Sequence, residues 1–190
     1  MNKEFEKDVV SCLNILLNGG IILYPTDTVW GLGCDATDEA AVQKIIELKN
    51  RPSNKSFVVL VDSRERLKQY VKEVEENMLQ YLQTVQKPTT VVYENAIGLA
   101  PGAVAADFSI AIRMCNDEFC SEIIRKLDKP LLSTSANKSG EHTPRIFKEI
   151  SDAIKEGVDY VVKYRQNDER IASPSAIVKW EKGILNVLRE

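Results

Sequence analysis

PLLSTSANKSG, residues 130–140, begins with a proline and two leucines and ends in hydroxyls, an amide and a glycine. Pro130, Leu131 and Leu132 read as the entry of a buried strand, with Ser133, Thr134 and Ser135 at its end. Successive hydroxyls make a poor core and a good ligand wall, because each both donates and accepts hydrogen bonds; Asn137 adds an amide. In an open α/β sheet, ligands bind just past the carboxyl ends of strands. The alternative is a strand ending in a Ser/Asn-rich turn that bonds its own backbone. On extended chain Ser133 and Ser135 share one side, and Thr134 points the other way.

The flanking chain alternates helix and strand. Phe5, Val9, Leu13, Leu16 and Leu17 recur at helical spacing and predict a helix over 4–17, ended by Gly19-Gly20. IILY at 21–24 reads as a short central strand closed by Pro25, and TDTVWGLG after it as a polar-to-glycine loop. Thr37-Asp38 is a cap for a helix through Ala40, Val42, Ile45, Ile46 and Leu48, which runs out at Lys49-Asn50-Arg51-Pro52. Strands are expected at 57–61, 89–93, 109–114, 159–164 and 175–180, and helices near 63–71, 73–85, 117–127 and 145–155. Glu181-Lys182-Gly183 turns into ILNVLRE, the partner in a terminal hairpin. The expected class is α/β, with residues 1–190 forming a single domain whose twisted mixed β-sheet is flanked by helices.

Composition narrows the function classes. A length of 190 residues, 44% hydrophobic and 28% charged, suits one ordinary globular core. No apolar run is long enough to span a bilayer, and the acidic, amphipathic N-terminus is unlike a secretory signal, so a cytoplasmic location without membrane contact is expected. Cys12, Cys34, Cys115 and Cys120 form no CxxC pair and read as buried thiols, with no metal site expected. A net charge of −3 argues against non-specific nucleic-acid binding by the whole surface, while leaving room for a basic cleft.

Five constellations carry chemistry. In PTDTVWGLG, residues 25–33, Thr26 and Thr28 flank Asp27, and Gly31 and Gly33 admit close approach by a ligand or another chain segment. It matches neither a Walker A loop nor GxGxxG. Lys49, Arg51 and Lys55 crowd one helix end, where they suit phosphate oxygens or, alternatively, the helix C-terminus itself. Arg113 interrupts the apolar strand SIAIRM and must face solvent or meet an anion. Ser173-Pro174-Ser175 precedes the penultimate strand, and Arg189 lies near the end of the last; His142 reads as a surface residue. There is no nucleophile elbow, thiol–imidazole pair or carboxylate pair. Cations and hydroxyls suit neutralising an anionic substrate, as in nucleotidyl or phosphoryl transfer.

Together GGIILYPTDTVWGLGCDA, KNRPSNK, SIAIRM, LLSTSANKSG and PSAIVKW resemble, in order and spacing, the YrdC-like family of threonylcarbamoyl-AMP synthases, in its short form. The resemblance implies an open α/β fold and synthesis of threonylcarbamoyl-AMP and pyrophosphate from L-threonine, bicarbonate or CO2, and ATP. Mg²⁺ would come with the nucleotide, and a separate transferase complex would move the product to tRNA, with possible direct tRNA contact. Carried over by motif, Thr28, Arg113, Ser133 and Ser175 would bind threonine. Arg51, Lys55, Ser109, Ser135, Asn137, Thr143 and Arg189 would bind ATP, Asn137 either holding its loop or touching phosphate. Lys49 and Arg51 would be the electrostatic catalytic pair facing the phosphates, without a covalent nucleophile.

The chain departs from the family pattern at Trp30, where tyrosine is usual, at Gln86-Lys87-Pro88, where a glycine is lost, and at Leu60, where some relatives have histidine. Two other readings share the motifs: a YciO-like paralogue with weak or different activity, and a module that binds double-stranded RNA or tRNA. The acidic balance weighs against the second.

Overall fold

Side chains in the loops decide where the helices start. Asp38 caps α2 (Glu39–Lys49) by accepting from Ala41 N, Ser63 caps α3 (Arg64–Tyr70) at Arg66 N, and Asp117 caps α5 (Glu118–Leu127) at Cys120 N. Helices α1 (Glu6–Leu17) and α4 (Glu76–Thr84) lack such a cap and are held by their buried faces, Val9, Cys12 and Leu16 in α1 and Met78 and Leu79 in α4. The computed structural model describes residues 4–52, 57–171, 173–181 and 184–190. All four cysteines are buried free thiols.

Among the described residues one mixed, open sheet runs in the order β7-β1-β2-β6-β3-β5-β4-β8-β9. Its strands are β1 (Ile22–Tyr24), β2 (Gly31–Asp35), β3 (Val58–Val61), β4 (Thr89–Tyr93), β5 (Ile110–Met114), β6 (Leu131–Ser135), β7 (Tyr160–Val161), β8 (Ala176–Glu181) and β9 (Ile184–Arg189). Helices α1 and α5 pack together and onto the sheet, α1 over β1 and β2 and α5 over β3, while α3 lies on β3 and β5. Phe5, Phe119 and Tyr164 meet ring to ring at 5.1 to 5.7 Å where α1 and α5 come together. The expected α/β class with a mixed sheet is the observed one.

Three local expectations give way. GLGCD is the strand β2 rather than the end of a loop; it lies antiparallel between β1 and β6, with Tyr24 opposite Gly31 and Ser133 opposite Gly33. The expected helix over 145–155 divides into a 3₁₀ turn (Phe147–Glu149) and a short helix α6 (Asp152–Glu156), because Ile150 is extended between them. The expected strand over 159–164 shrinks to β7. Val162 still donates to Leu23 O, but Asp8 of α1 accepts from both Lys163 N and Tyr164 N, and these bonds replace the ladder.

Gly33 is needed for steric reasons. A Cβ there would stand 2.7 Å from Tyr24 Cε1 and 3.1 Å from Leu132 O. Tyr24 is fully buried and its hydroxyl donates to Ser133 Oγ at 2.8 Å, so the ring crosses over β2 and cannot swing aside. Gly33→Ala is expected to destabilise the fold by about 1–3 kcal/mol, the range for overpacking. At roughly 2–4 °C per kcal/mol for a chain of this size, a fall in Tm is readily measured; an unchanged Tm would show that the Tyr24 ring has room to move.

Candidate active site

The two polar motifs of the sequence are stitched together. At the end of α2, Asn50 adopts a left-handed conformation (φ 48°) and Arg51 N closes on Ile46 O at 3.0 Å, which turns the chain sharply. The turn brings Lys49 under the loop that follows β6. Lys49 Nζ donates to the carbonyls of Ser135 and Asn137, and Lys49 O accepts from Ser139 N at 2.8 Å. Asn137 Nδ2 closes the same loop through the carbonyls of Lys138 and Glu141, and Ala136 N reaches Trp30 O. Lys49 is 1% exposed. Burial, and then the Arg51 cation, push its ammonium down from lysine's usual 10.5 to about 7, with Glu141 acting the other way.

In front of this clamp lies a cleft of about 470 Å³. β6 contributes Ser133, Thr134 and Ser135, the loop before β2 contributes Thr26, Thr28 and Trp30, and the helix-end turn contributes Arg51. Arg113 of β5, Thr143, Ser175 and Arg189 complete the polar wall; among the described residues no Asp or Glu lines it. The register accounts for the convergence: β6 lies between β2 and β3, with Ser133 opposite both Gly33 and Val58, and β3 lies beside β5 with Leu60 opposite Arg113. Leu60 itself is wholly buried.

Each cation is held differently. Arg113, 5% exposed, donates through Nη2 to Asp27 Oδ1 at 2.7 Å and through Nη1 to Thr28 Oγ1 at 3.3 Å; its buried Nε has no partner among the described residues. Arg51 stacks over Phe57 with 4.3 Å between guanidinium and ring centre. Arg189 donates through Nε and Nη2 to Ser175 O at 3.1 and 2.8 Å, and Ser175 Oγ shares a hydrogen bond with Thr90 Oγ1. Burial pushes the pKa of Arg51 down, and burial together with the nearby Arg113 does the same to Arg189. An acidic protein thus carries three guanidiniums around a cleft without a carboxylate, a local field that favours anions.

The structure brings together Thr28, Arg51, Arg113, Ser133, Ser135, Thr143, Ser175 and Arg189. Thr134, assigned by alternation to the opposite side, also belongs to the wall. Lys49 and Asn137 lie outside the lining, in the clamp behind it, which differs from the expectation that Lys49 faces the phosphates. Ser109 is also outside the lining, just before β5, where its N–H donates to Asp107 Oδ1. Lys55 falls outside the described residues. Tyr24, Asp27 and Thr90 were not among the expected site residues, although each touches one of them. The signal for Tyr24 was a polar tip inside an apolar strand; for Asp27 it was a carboxylate between two threonines.

A larger cleft, about 600 Å³, lies beside β4, β8 and β9. Its walls carry Glu73, Glu75, Glu94 and Glu181 around Trp180 and Tyr93, a rim that repels a polyphosphate. Charge selects the smaller cleft as the site for an anionic substrate.

A family model matches residues 14–190: Sua5_yciO_yrdC, described as telomere recombination. The chain belongs to the Sua5/YciO/YrdC family. Among curated relatives, the threonylcarbamoyl-AMP synthase of Idiomarina loihiensis is 30% identical over 84% of this chain and 86% of its own. That of Hahella chejuensis is 32% identical over 80% and 83%. Among solved structures, P. abyssi Sua5 complexed with L-threonine superposes with a TM-score of 0.85 at 23% identity, covering 100% of this chain and 55% of that one. E. coli YciO gives 0.83 at 21% identity, covering 97% and 89%. At these identities the two structures establish the shared fold.

Proposed function

We propose that this chain is a threonylcarbamoyl-AMP synthase, a nucleotidyltransferase that joins L-threonine, bicarbonate or CO2, and ATP. The threonine amine takes up the carbon as a carbamate. A carbamate oxygen then attacks the α-phosphorus of ATP, the bond from the α-phosphorus to the bridging oxygen breaks, and pyrophosphate leaves; water is the other product when bicarbonate is the carbon source. Such a reaction asks the protein to position two anions and spread their charge, and it needs no covalent nucleophile.

The observation that carries this reading is the carboxylate-free cleft, in which hydroxyls and guanidiniums from separate motifs converge. Arg113, whose two Nη groups each keep a second hydrogen, suits the threonine carboxylate, beside Thr28, Ser133 and Ser175. Arg51, Ser135, Thr143 and Arg189 suit the nucleotide, and Lys55 belongs to the same signature. Lys49 acts from behind, by fixing the carbonyls of the loop that carries Ser135. Mg²⁺ is a group the ATP chemistry implies. The cleft offers it hydroxyls and no carboxylate, and no three acid, His or Cys side chains cluster as ligands among the described residues, so triphosphate oxygens would carry it and it would add charge neutralisation when bound.

No helix of the described residues is long and apolar enough to cross a membrane. Work in the cytoplasm, with the product passed to a separate transferase complex acting on tRNA, completes the reading; direct tRNA contact is not required for the adenylate step. A second reading, a YciO-like paralogue, is favoured by the match to nearly the whole length of E. coli YciO. Pyrophosphate release with each substrate omitted in turn separates the two: the synthase requires threonine, and release indifferent to threonine would contradict it. Arg51→Ala is expected to raise the KM for ATP about tenfold, the loss of one charge-assisted contact, with the KM for threonine within twofold. Equal changes in both would contradict the assignment of Arg51 to the nucleotide.

A further inference from the structure

The loop between β1 and β2 separates two hollows. In front lies the 470 Å³ cleft; behind lies a polar cavity of about 350 Å³. Thr26, Thr28 and Trp30 belong to both walls, whereas Asp27 belongs to the rear wall only. Its carboxylate nonetheless reaches Arg113, whose guanidinium lines the front. We infer that Asp27 is a positioning residue that aims Arg113 at the threonine carboxylate from behind the cleft wall. The inference rests on the synthase reading and names a residue that does not itself meet the substrate.

Three observations carry it. First, a buried guanidinium on a central strand is costly unless paired, and Arg113 forms a salt bridge with Asp27 at 2.7 Å. Asp117, which also lines the rear cavity, is already engaged by Arg165 at 2.6 Å and by Cys120 N. Second, the grip is on Nη2, with Nη1 on Thr28, which leaves the buried Nε without a partner among the described residues. Nη1 and Nη2 each keep a second hydrogen, and Arg113 lines the front cleft, so a substrate carboxylate can meet the guanidinium there without displacing Asp27. Third, Asp27 is fixed by its own loop. Thr26 Oγ1 accepts from Thr28 N, donates to Val29 O and lies 2.9 Å from Thr28 Oγ1, so the turn presenting Asp27 is tied on both sides.

The test is a threonine-binding and steady-state cycle on the full chain with Asp27→Asn, Asp27→Ala, Arg113→Ala and the double variant Asp27→Asn/Arg113→Ala. Asp27→Asn keeps the size and one acceptor while removing the charge, so it guards against a folding failure of Asp27→Ala. The expected result is a rise of about tenfold or more in the threonine KM and Kd for Asp27→Asn. The ATP KM and kcat should stay within about twofold, and Asp27→Asn should add nothing once Arg113 is alanine. Unchanged threonine affinity in Asp27→Asn, or an effect that adds fully to Arg113→Ala, would overturn the inference. So would equal losses in threonine KM, ATP KM and kcat, the mark of a merely structural role. If the unaltered chain binds no threonine, the synthase reading is what fails. Urea unfolding of the same cycle then reads the Asp27–Arg113 pair alone, and additive unfolding energies would overturn the pairing.

Discussion

Arg113→Ala is expected to raise the KM for threonine about a hundredfold or more, while the KM for ATP changes little. Truncating one member of a buried, hydrogen-bonded charge pair costs about 2–5 kcal/mol, and each 1.4 kcal/mol is a factor of ten. Arg113 is the guanidinium set deepest in the wall, 5% exposed and fixed by Asp27 and Thr28. Its loss also strands Asp27. Burial already pushes the Asp27 carboxyl above the usual carboxylate range, with Arg113 opposing that rise and Asp117 adding to it. Without Arg113 the carboxyl is driven further up and takes a proton at higher pH, which spares the fold while removing the anion receptor. Arg113→Lys should recover only part of the affinity, because an ammonium cannot keep a planar fork on Asp27, Thr28 and a substrate carboxylate together. Calorimetric titration with L-threonine checks both; undiminished binding by Arg113→Ala would contradict the assignment.

Lys49→Met is expected to lower kcat about a hundredfold with a modest change in stability. Methionine keeps an unbranched chain one atom shorter and loses both hydrogen bonds, leaving the carbonyls of Ser135 and Asn137 without their clamp at about 1–3 kcal/mol each. Removing a buried charge returns part of that cost, so the fold survives. Turnover does not, because Ser135 and its loop form one wall of the cleft and a displacement of about 1 Å can cost a hundredfold. Full turnover in Lys49→Met would show that the loop keeps its place unaided.

The same residue leaves a signature in stability against pH. Below about pH 7 Lys49 is charged in both folded and unfolded chains, and its burial penalty is complete. Between about 7 and the free lysine's 10.5 the unfolded chain binds more protons than the folded one, so stability rises with pH in that window. A neutral amine still has two N–H donors for its two carbonyls, so the clamp survives the loss of the proton. The stability of the unaltered protein relative to Lys49→Met should therefore improve from pH 7 toward pH 10. A difference that is flat with pH would mean that Lys49 keeps its proton throughout.

Short-range patterns made much of this legible beforehand. Helical spacing located α1, α2 and α5, and apolar runs bounded by breakers located β1, β3, β4, β5 and β6 within a residue or two, while β2 read as a loop. The site residues could be found because they break those patterns: Arg113 in an apolar strand, hydroxyls at the end of β6, cations after a helix. What stayed hidden depends on partners far along the chain. Gly33 sits in a strand because Tyr24 has to pass over it to Ser133, 109 positions from Tyr24. The chain after β7 leaves the sheet because Asp8, more than 150 positions earlier, takes its N–H groups. Lys49 reads as a phosphate ligand from its neighbours in sequence, and only the loop 86 positions away shows that two of its three donors are taken by backbone carbonyls.

Radiolabelled bicarbonate supplied to the chain with ATP and L-threonine tests the central claim most directly. Label is expected in a product that also carries threonine and AMP, formed together with pyrophosphate and absent when threonine is left out. ATP cleavage without incorporation of label, or label incorporated without threonine, would contradict the assignment.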